Sequence, residues 1–419
     1  MENNKVWTKE FVSMAAITSC FTIIFFLFIV TMVPFATRTF DVSISVGGLV
    51  ASIFVIGSLI GRVLAGRWSE KYGALKTLEY SLLATIFISL CYFVAYNIET
   101  LFIVRVLHGV TAGLISTITG TISILVVPPS RRAEGIAYFS SSAVIGAAFG
   151  PFLGILLLKM NHGFEWMFAL NILLVSASYL MLKVVKLNVA HSLLSNPISP
   201  EQTRRPLLSK IIEWKAVPIS FIALMIGFCF SGVTSYLVPY SEEIKLEKAA
   251  SFYFIVHAIC IICTRFFTGR LIDSKGANIV IYPCLISFSL GLILYSQASA
   301  TWMFLLAAAC ISTGFGNFNS GANSLAVRDV SNHRVGIATS TYFIFFDVGS
   351  GIGPYVLGYI LEVTNYQTMY LITACLGLIS ILVYFIVYGL KESLIRQKSE
   401  CISLKQTSEI KTNNSYKNS

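Results

Sequence analysis

The chain has 419 residues, 56% hydrophobic and only 12% charged, with a formal net charge of +10. Soluble domains run nearer about 45–50% apolar and about 25% charged, and no single core could hide the excess seen here. The composition therefore excludes a water-soluble globule and predicts an all-α polytopic membrane protein.

Residues 1–10 are polar and read as a cytoplasmic N-terminus, not a cleaved signal, because the first apolar run is followed by eleven more. A hydrocarbon layer about 30 Å thick needs about 20 apolar residues per helix. That window predicts spans near 11–36, 45–65, 77–96, 101–125, 135–158 and 164–186, an N-terminal half over 11–186. A polar, proline-bearing stretch at 187–216 reads as a cytoplasmic linker. Spans near 217–240, 249–268, 278–298, 302–326, 336–360 and 367–389 make a C-terminal half over 217–390. The tail 391–419 has little apolar surface to bury and is expected to be disordered. The expectation is thus twelve transmembrane helices in two pseudo-symmetric six-helix halves.

Basic residues fix the expected orientation. With the N-terminus inside, 23 Lys and Arg fall on inner segments and four on outer ones, while Arg62, Arg105 and Arg265 lie within spans. Such a bias marks the cytoplasmic side. The positive charge is then matched to anionic lipid, with no nucleic-acid partner expected. Cys260 and Cys263 form a C-x-x-C inside a span and read as packing residues.

The halves repeat each other at an offset of 203 residues. Arg62, Gly66, Arg67, Glu70, Gly73 and Ala74 recur as Arg265, Gly269, Arg270, Asp273, Gly276 and Ala277. Fused repeats of this kind are one route to alternating access.

These residues resemble the major facilitator superfamily, and within it the twelve-helix drug:proton antiporters. Gly66-x-x-x-Glu70-Lys71-x-Gly73 is similar to motif A, with Glu where Asp is usual. Arg105-x-x-His108-Gly109 resembles motif B, with His in place of the common Gln. Gly146-x-x-x-Gly150-Pro151-x-x-Gly154 resembles motif C, and Gly353-Pro354 echoes it in span eleven. The resemblance implies that Glu70 helps latch the halves on the cytoplasmic side, along with Gly66, Arg67, Lys71, Gly73, Arg62 and their second-half counterparts. It also implies that Gly146, Gly150, Pro151, Gly154, Gly353 and Pro354 serve as hinge positions, where small residues let helices touch backbone to backbone.

Ionisable groups inside a membrane are costly and mark function. Among the acids only Asp347 falls deep in a span, and its expected partner is a proton, an Arg across the cavity or a cationic substrate. Arg105, His108 and His257 are further proton-coupling candidates; His257 has Phe54 as its repeat counterpart. Thr31, Tyr236, Asn317, Asn319 and Asn323 are candidates for substrate contact, with helix–helix hydrogen bonding as the alternative.

No G-x-x-x-x-G-K-[ST] occurs, so the expected energy source is an ion gradient. The reading is a monomeric proton-coupled exporter of small amphipathic or drug-like molecules in the cell membrane, both termini cytoplasmic, with no cofactor and no enzymatic activity. A narrow-specificity metabolite carrier, importing or exporting, is the nearest competitor; a membrane sensor ranks below it. Substituting Glu70→Gln is expected to lower turnover several-fold while membrane insertion stays normal. Transport and surface labelling measured side by side check this, and an unchanged rate removes the latch.

Overall fold

The computed structural model of the chain describes residues 6–128, 131–184, 212–328, 330 and 334–390. Most of the expected linker and the tail 391–419 lie outside these residues. In lipid every backbone N–H and C=O must be satisfied within the chain, and helices do this without an open edge. The apolar runs accordingly form twelve α-helices among the described residues. The first half holds α1 (Lys9–Phe40), α2 (Ile44–Tyr72), α3 (Ala74–Cys91), α4 (Ile98–Leu125), α5 (Arg132–Leu158) and α6 (Gly163–Val184). The second holds α7 (Val217–Glu243), α8 (Glu247–Lys275), α9 (Asn278–Ser296), α10 (Thr301–Arg328), α11 (Val335–Val363) and α12 (Tyr366–Tyr384), the last running into a π-helical turn at Phe385–Gly389.

Eleven of these helices contain a described stretch long and apolar enough to cross a membrane, and α5 contributes the shorter apolar stretch Ser142–Leu158. At about 1.5 Å per residue even the 18-residue α3 reaches ~27 Å. Polar residues set the starts: Thr8, Ser43, Asn97 and Asn365 each accept a backbone N–H from the first turn of α1, α2, α4 and α12. Successive helices alternate in direction. The side that holds Thr8 and Leu390, with the α2–α3 and α8–α9 turns, is here termed the terminal face, and the opposite side the far face.

The sequence repeat is also a repeat of backbone geometry. The α2–α3 and α8–α9 turns are made by Gly73 at φ 88° and Gly276 at φ 84°. A side chain would be strained at either, so the two glycines recur because the turn demands them.

Packing repeats in the same way. In the first half α2 lies along α4 and α1 along α5; in the second α8 lies along α10 and α7 along α11. Glycines bring three of these pairs, α2–α4, α1–α5 and α7–α11, to backbone contact. A Cβ on Gly109 would overlap the Phe54 carbonyl oxygen, and one on Gly113 the Ser58 carbonyl oxygen. On the α1–α5 seam, Cβ atoms on Gly146, Gly150 and Gly154 would lie 2.6 Å from Thr22 Cβ, 2.5 Å from the Ile23 oxygen and 2.9 Å from Thr31 Cγ2. Gly349 and Gly353 meet Leu224 and Ser231 of α7 in the corresponding place. The proline-bearing glycine motif thus knits each half together internally, because lipid tails supply no hydrophobic drive for helix association and close van der Waals contact must.

Substituting Gly150→Leu is expected to force α5 off α1 and to cost about 1–3 kcal/mol or more of overpacking strain. A clear drop in the thermal midpoint of the purified protein checks this; an unchanged midpoint contradicts the packing described.

Candidate functional site between the halves

The two halves meet along three seams, α2 on α11, α5 on α8 and α1 on α7, of which the first is the most extensive. At the far face the seams are tied by polar contacts. Arg38 of α1 forms an ion pair with Glu242 of α7. The Ser45 backbone N–H donates to Glu362 Oε1 at 3.2 Å, and Lys159 Nζ donates to Ser251 Oγ at 3.2 Å. Below these the contact is one of small residues. A Cβ on Gly48 would overlap the Pro354 carbonyl oxygen and the Tyr236 hydroxyl, and Cβ atoms on Gly358 and Gly351 would lie 2.7 Å from Ser45 Cα and 3.1 Å from Val55 Cβ. Phe26 and Phe254 meet edge to face at 6.4 Å.

The seam continues inward to Arg62 and Asp347. Arg62 Nη2 lies 3.0 Å from Asp347 Oδ2, an ion contact from α2 to α11 and hence from one half to the other. Its angles do not make a hydrogen bond, so Arg62 Nε and Asp347 Oδ2 keep unused hydrogen-bonding capacity. The Asp347 side chain is 15% exposed and that of Arg62 37%. Each lies about 15–18 Å along its helix from the terminal-face end, near mid-membrane. Sequence reasoning assigned Asp347 to proton coupling and Arg62 to the latch; the structure brings them together. Depth was the signal available beforehand, since Arg62 and Asp347 sit ten and twelve residues from the terminal ends of their helices.

Toward the far face, Arg105 is 2% exposed inside the first half. Its Nε donates to the Val50 carbonyl at 3.0 Å, with longer bonds to the Tyr92 hydroxyl at 3.4 Å and the Ala51 carbonyl at 3.5 Å. The guanidinium lies 4.7 Å from the Phe54 ring centre and 5.8 Å from that of Phe28. His108 Nδ1 pairs with the Tyr92 hydroxyl at 3.0 Å, whereas its buried Nε2 has no partner. Arg105 therefore does not snorkel to the interface. It lines a narrow pocket between the halves with Phe25, Phe28, Phe54, Ser350 and Pro354.

In the second half His257 is buried, pairs through Nδ1 with Ser312 Oγ at 2.7 Å and stacks on Phe230 at 5.5 Å. Phe230 in turn stacks on Phe315 at 3.7 Å. His257 thus stands apart from the Arg62–Asp347 pair, in an aromatic layer of its own half.

The polar substrate candidates take up helix contacts. The Thr31 hydroxyl donates to the Leu27 carbonyl at 2.8 Å, and the Tyr236 hydroxyl donates to the Pro354 carbonyl. Asn317 donates to Thr264 Oγ1 and to the Thr313 carbonyl, both at 2.7 Å, and accepts from Thr268 at 3.1 Å. Asn319 accepts from the Tyr342 hydroxyl at 3.2 Å. Asn323 is different, because its buried Oδ1 has no partner.

Of the latch candidates, Gly66 and Arg67 are exposed at the terminal end of α2, a Cβ on Gly66 would meet nothing, and Lys71 sits over the Tyr72 ring at 5.0 Å. The side chains of Glu70, Arg265, Arg270 and Asp273, and the surroundings of Gly269, lie outside what the structure describes. At the same face Arg334 forms an ion pair with Glu213, whose backbone N–H donates to Thr341 at 2.9 Å; this fixes the chain entering α7 onto α11.

Two helical halves meeting along a seam with charged groups at mid-depth is a carrier's arrangement, and the comparisons agree. The sequence model of the Major Facilitator Superfamily matches residues 14–354. An uncharacterized MFS-type transporter of Methanocaldococcus jannaschii is 23% identical over 351 residues, covering 79% of this chain and 86% of that protein. Multidrug resistance protein 2 of Bacillus subtilis is 21% identical over 344 residues, covering 80% and 84%. Among solved structures, a variant of the nucleoside transporter NupG superposes with a TM-score of 0.71 at 13% identity, over 90% of this chain and 100% of that one. The chain belongs to the major facilitator superfamily of membrane transporters.

Proposed function

We propose that the chain is a proton-coupled secondary transporter that exports small amphipathic molecules by alternating access, from the cell membrane and with both termini in the cytoplasm. The observation that carries this reading is the Arg62–Asp347 contact across the α2–α11 seam. An attraction of this kind exists only while Asp347 is ionised. Protonation of the carboxylate removes one charge and with it the tie between the halves. Mid-membrane charges feel a low dielectric, so this loss weighs more there than at the surface.

In this reading the described state has its far face closed and receives substrate from the cytoplasmic, terminal face. Entering substrate competes for Arg62 or Asp347, frees α2 from α11, and lets the halves rock until the far face parts. A proton then takes the place of substrate on Asp347. It is carried inward and lost to the cytoplasm as the pair re-forms. The exposed ties at Arg38 and Lys159 hold the outer end shut weakly enough to open on each cycle. The relatedness to multidrug resistance protein 2 supports export of amphipathic compounds. A narrow-specificity carrier is the second reading, favoured by the buried Arg105, which offers one fixed charge to one kind of substrate.

Inside-out vesicles with an acidic lumen are expected to accumulate lipophilic dyes through the wild-type protein, and to lose accumulation with Asp347→Asn at equal expression. Failure of the wild type to accumulate any compound of a broad panel contradicts amphipathic export. Substituting Glu242→Ala is expected to raise the labelling rate of a thiol placed at Ser45 by an impermeant maleimide about two- to fivefold, the scale of an exposed ion pair. An unchanged rate means that the Arg38–Glu242 tie does not hold the far face.

A further inference from the structure

We propose that the pocket beside Arg105 is an organic-anion subsite, and that the transported molecules are amphipathic arenes carrying a carboxylate or a similar acid group. This rests on the reading of the chain as a carrier with its substrate site between the halves, but not on proton coupling.

Asp347 is the one acid deep in a span, and Arg62 already lies against it. Arg105 stays charged, since a guanidinium is not deprotonated in proteins. Among the described residues it has no carboxylate partner, only two backbone carbonyls, one phenol oxygen and two ring faces. Two of those three hydrogen bonds are long, at 3.4 and 3.5 Å, so donors remain for a better acceptor. The seam around the pocket thus carries an uncompensated positive charge. A cationic substrate would meet repulsion there, and an anion would supply the missing countercharge.

The second observation is the match between the guanidinium and an acid group. Its planar fork and fixed charge favour planar oxyanions, whose oxygens accept charge-assisted hydrogen bonds from it. His108 lies beside it, buried against Phe28 and Phe54 and outside the pocket lining, while Ser350 of the other half lines the pocket. The third observation is the wall itself. Phe25, Phe28 and Phe54 make an aromatic wall for an apolar body next to the charge. The ligand class that satisfies all three is a flat arene with one acidic group.

In the described state the pocket holds space for about one water at its centre. Ser350 and Pro354 of α11 close it against the first half. Substrate that enters from the terminal face and frees α2 from α11 parts the seam that these two residues close, so in this proposal the subsite gains room as the molecule reaches it.

The probes are 1-naphthoate, its neutral isostere 1-naphthamide and the cation 1-naphthylmethylammonium, bound to the purified full-length protein by equilibrium dialysis. Wild type is expected to bind naphthoate at least roughly tenfold tighter than the amide and not to favour the ammonium. The preference should vanish in Arg105→Gln and persist in part in Arg105→Lys. Should Arg105→Gln fail to fold, the wild-type ranking still decides. Equal binding of anion and amide, preference for the cation, or no saturable naphthoate binding by wild type and by Glu242→Ala overturns the proposal. A cation preference with Asp347-dependent vesicle uptake would sink the anion subsite and leave the proton-coupled exporter standing. Anion preference without any gradient-driven uptake would do the reverse.

Discussion

A charge in the middle of a bilayer must find a countercharge or a polar cavity, and in this chain Asp347 finds Arg62 on the other half. The rest of the architecture can be understood from that constraint. Two helices from different halves, α2 and α11, have to come close enough for side chains to meet. Small residues at Gly48, Gly351 and Gly358 make that approach possible on the far-face side of the pair. The tie is conditional, because it depends on the ionisation of one carboxylate, and a conditional tie between rigid bodies is what alternating access needs.

Rigidity of each half comes from a different device. Backbone-to-backbone packing of α2 on α4, α1 on α5 and α7 on α11 leaves no room for a side chain at the glycines concerned. Interfaces of this kind do not deform smoothly. The seams between halves differ in their outer ends, where the far-face contacts are one exposed ion pair and single hydrogen bonds, although Gly48 and Gly358 also bring α2 and α11 close. The proline-bearing glycine motif on α5 contributes to this division by fixing α5 to α1 within its own half.

Much of the fold was legible in the sequence, because lipid imposes one length and one secondary structure on every span. Helix ends were less so: α2 runs on to Tyr72, past the expected end at 65, because its last two turns are polar and a hydropathy window does not count them. The repeat was legible down to single residues, since Gly73 and Gly276 answer to a backbone angle and not to packing. The site was legible only in part. Asp347 stood out by residue type and depth, whereas its pairing with Arg62 depended on how two distant helices dock. Thr31, Tyr236, Asn317 and Asn319 show the limit most clearly. A polar residue in a span looks the same in sequence whether it faces a cavity or a neighbouring helix, and these four make hydrogen bonds to helices. Arg105 illustrates the converse, since its lack of an acidic partner becomes visible only when its surroundings are known.

The central claim is that ionised Asp347, held by Arg62, keeps the far face closed. The most direct test places spin labels at Tyr96→Cys and Trp302→Cys, exposed far-face positions on opposite halves, in a cysteine-free background. Distance distributions by electron–electron double resonance are then compared between the protein with Asp347 and its Asp347→Asn variant. A short distance is expected with Asp347 and a longer population with Asn. The same short distribution in both would contradict the claim.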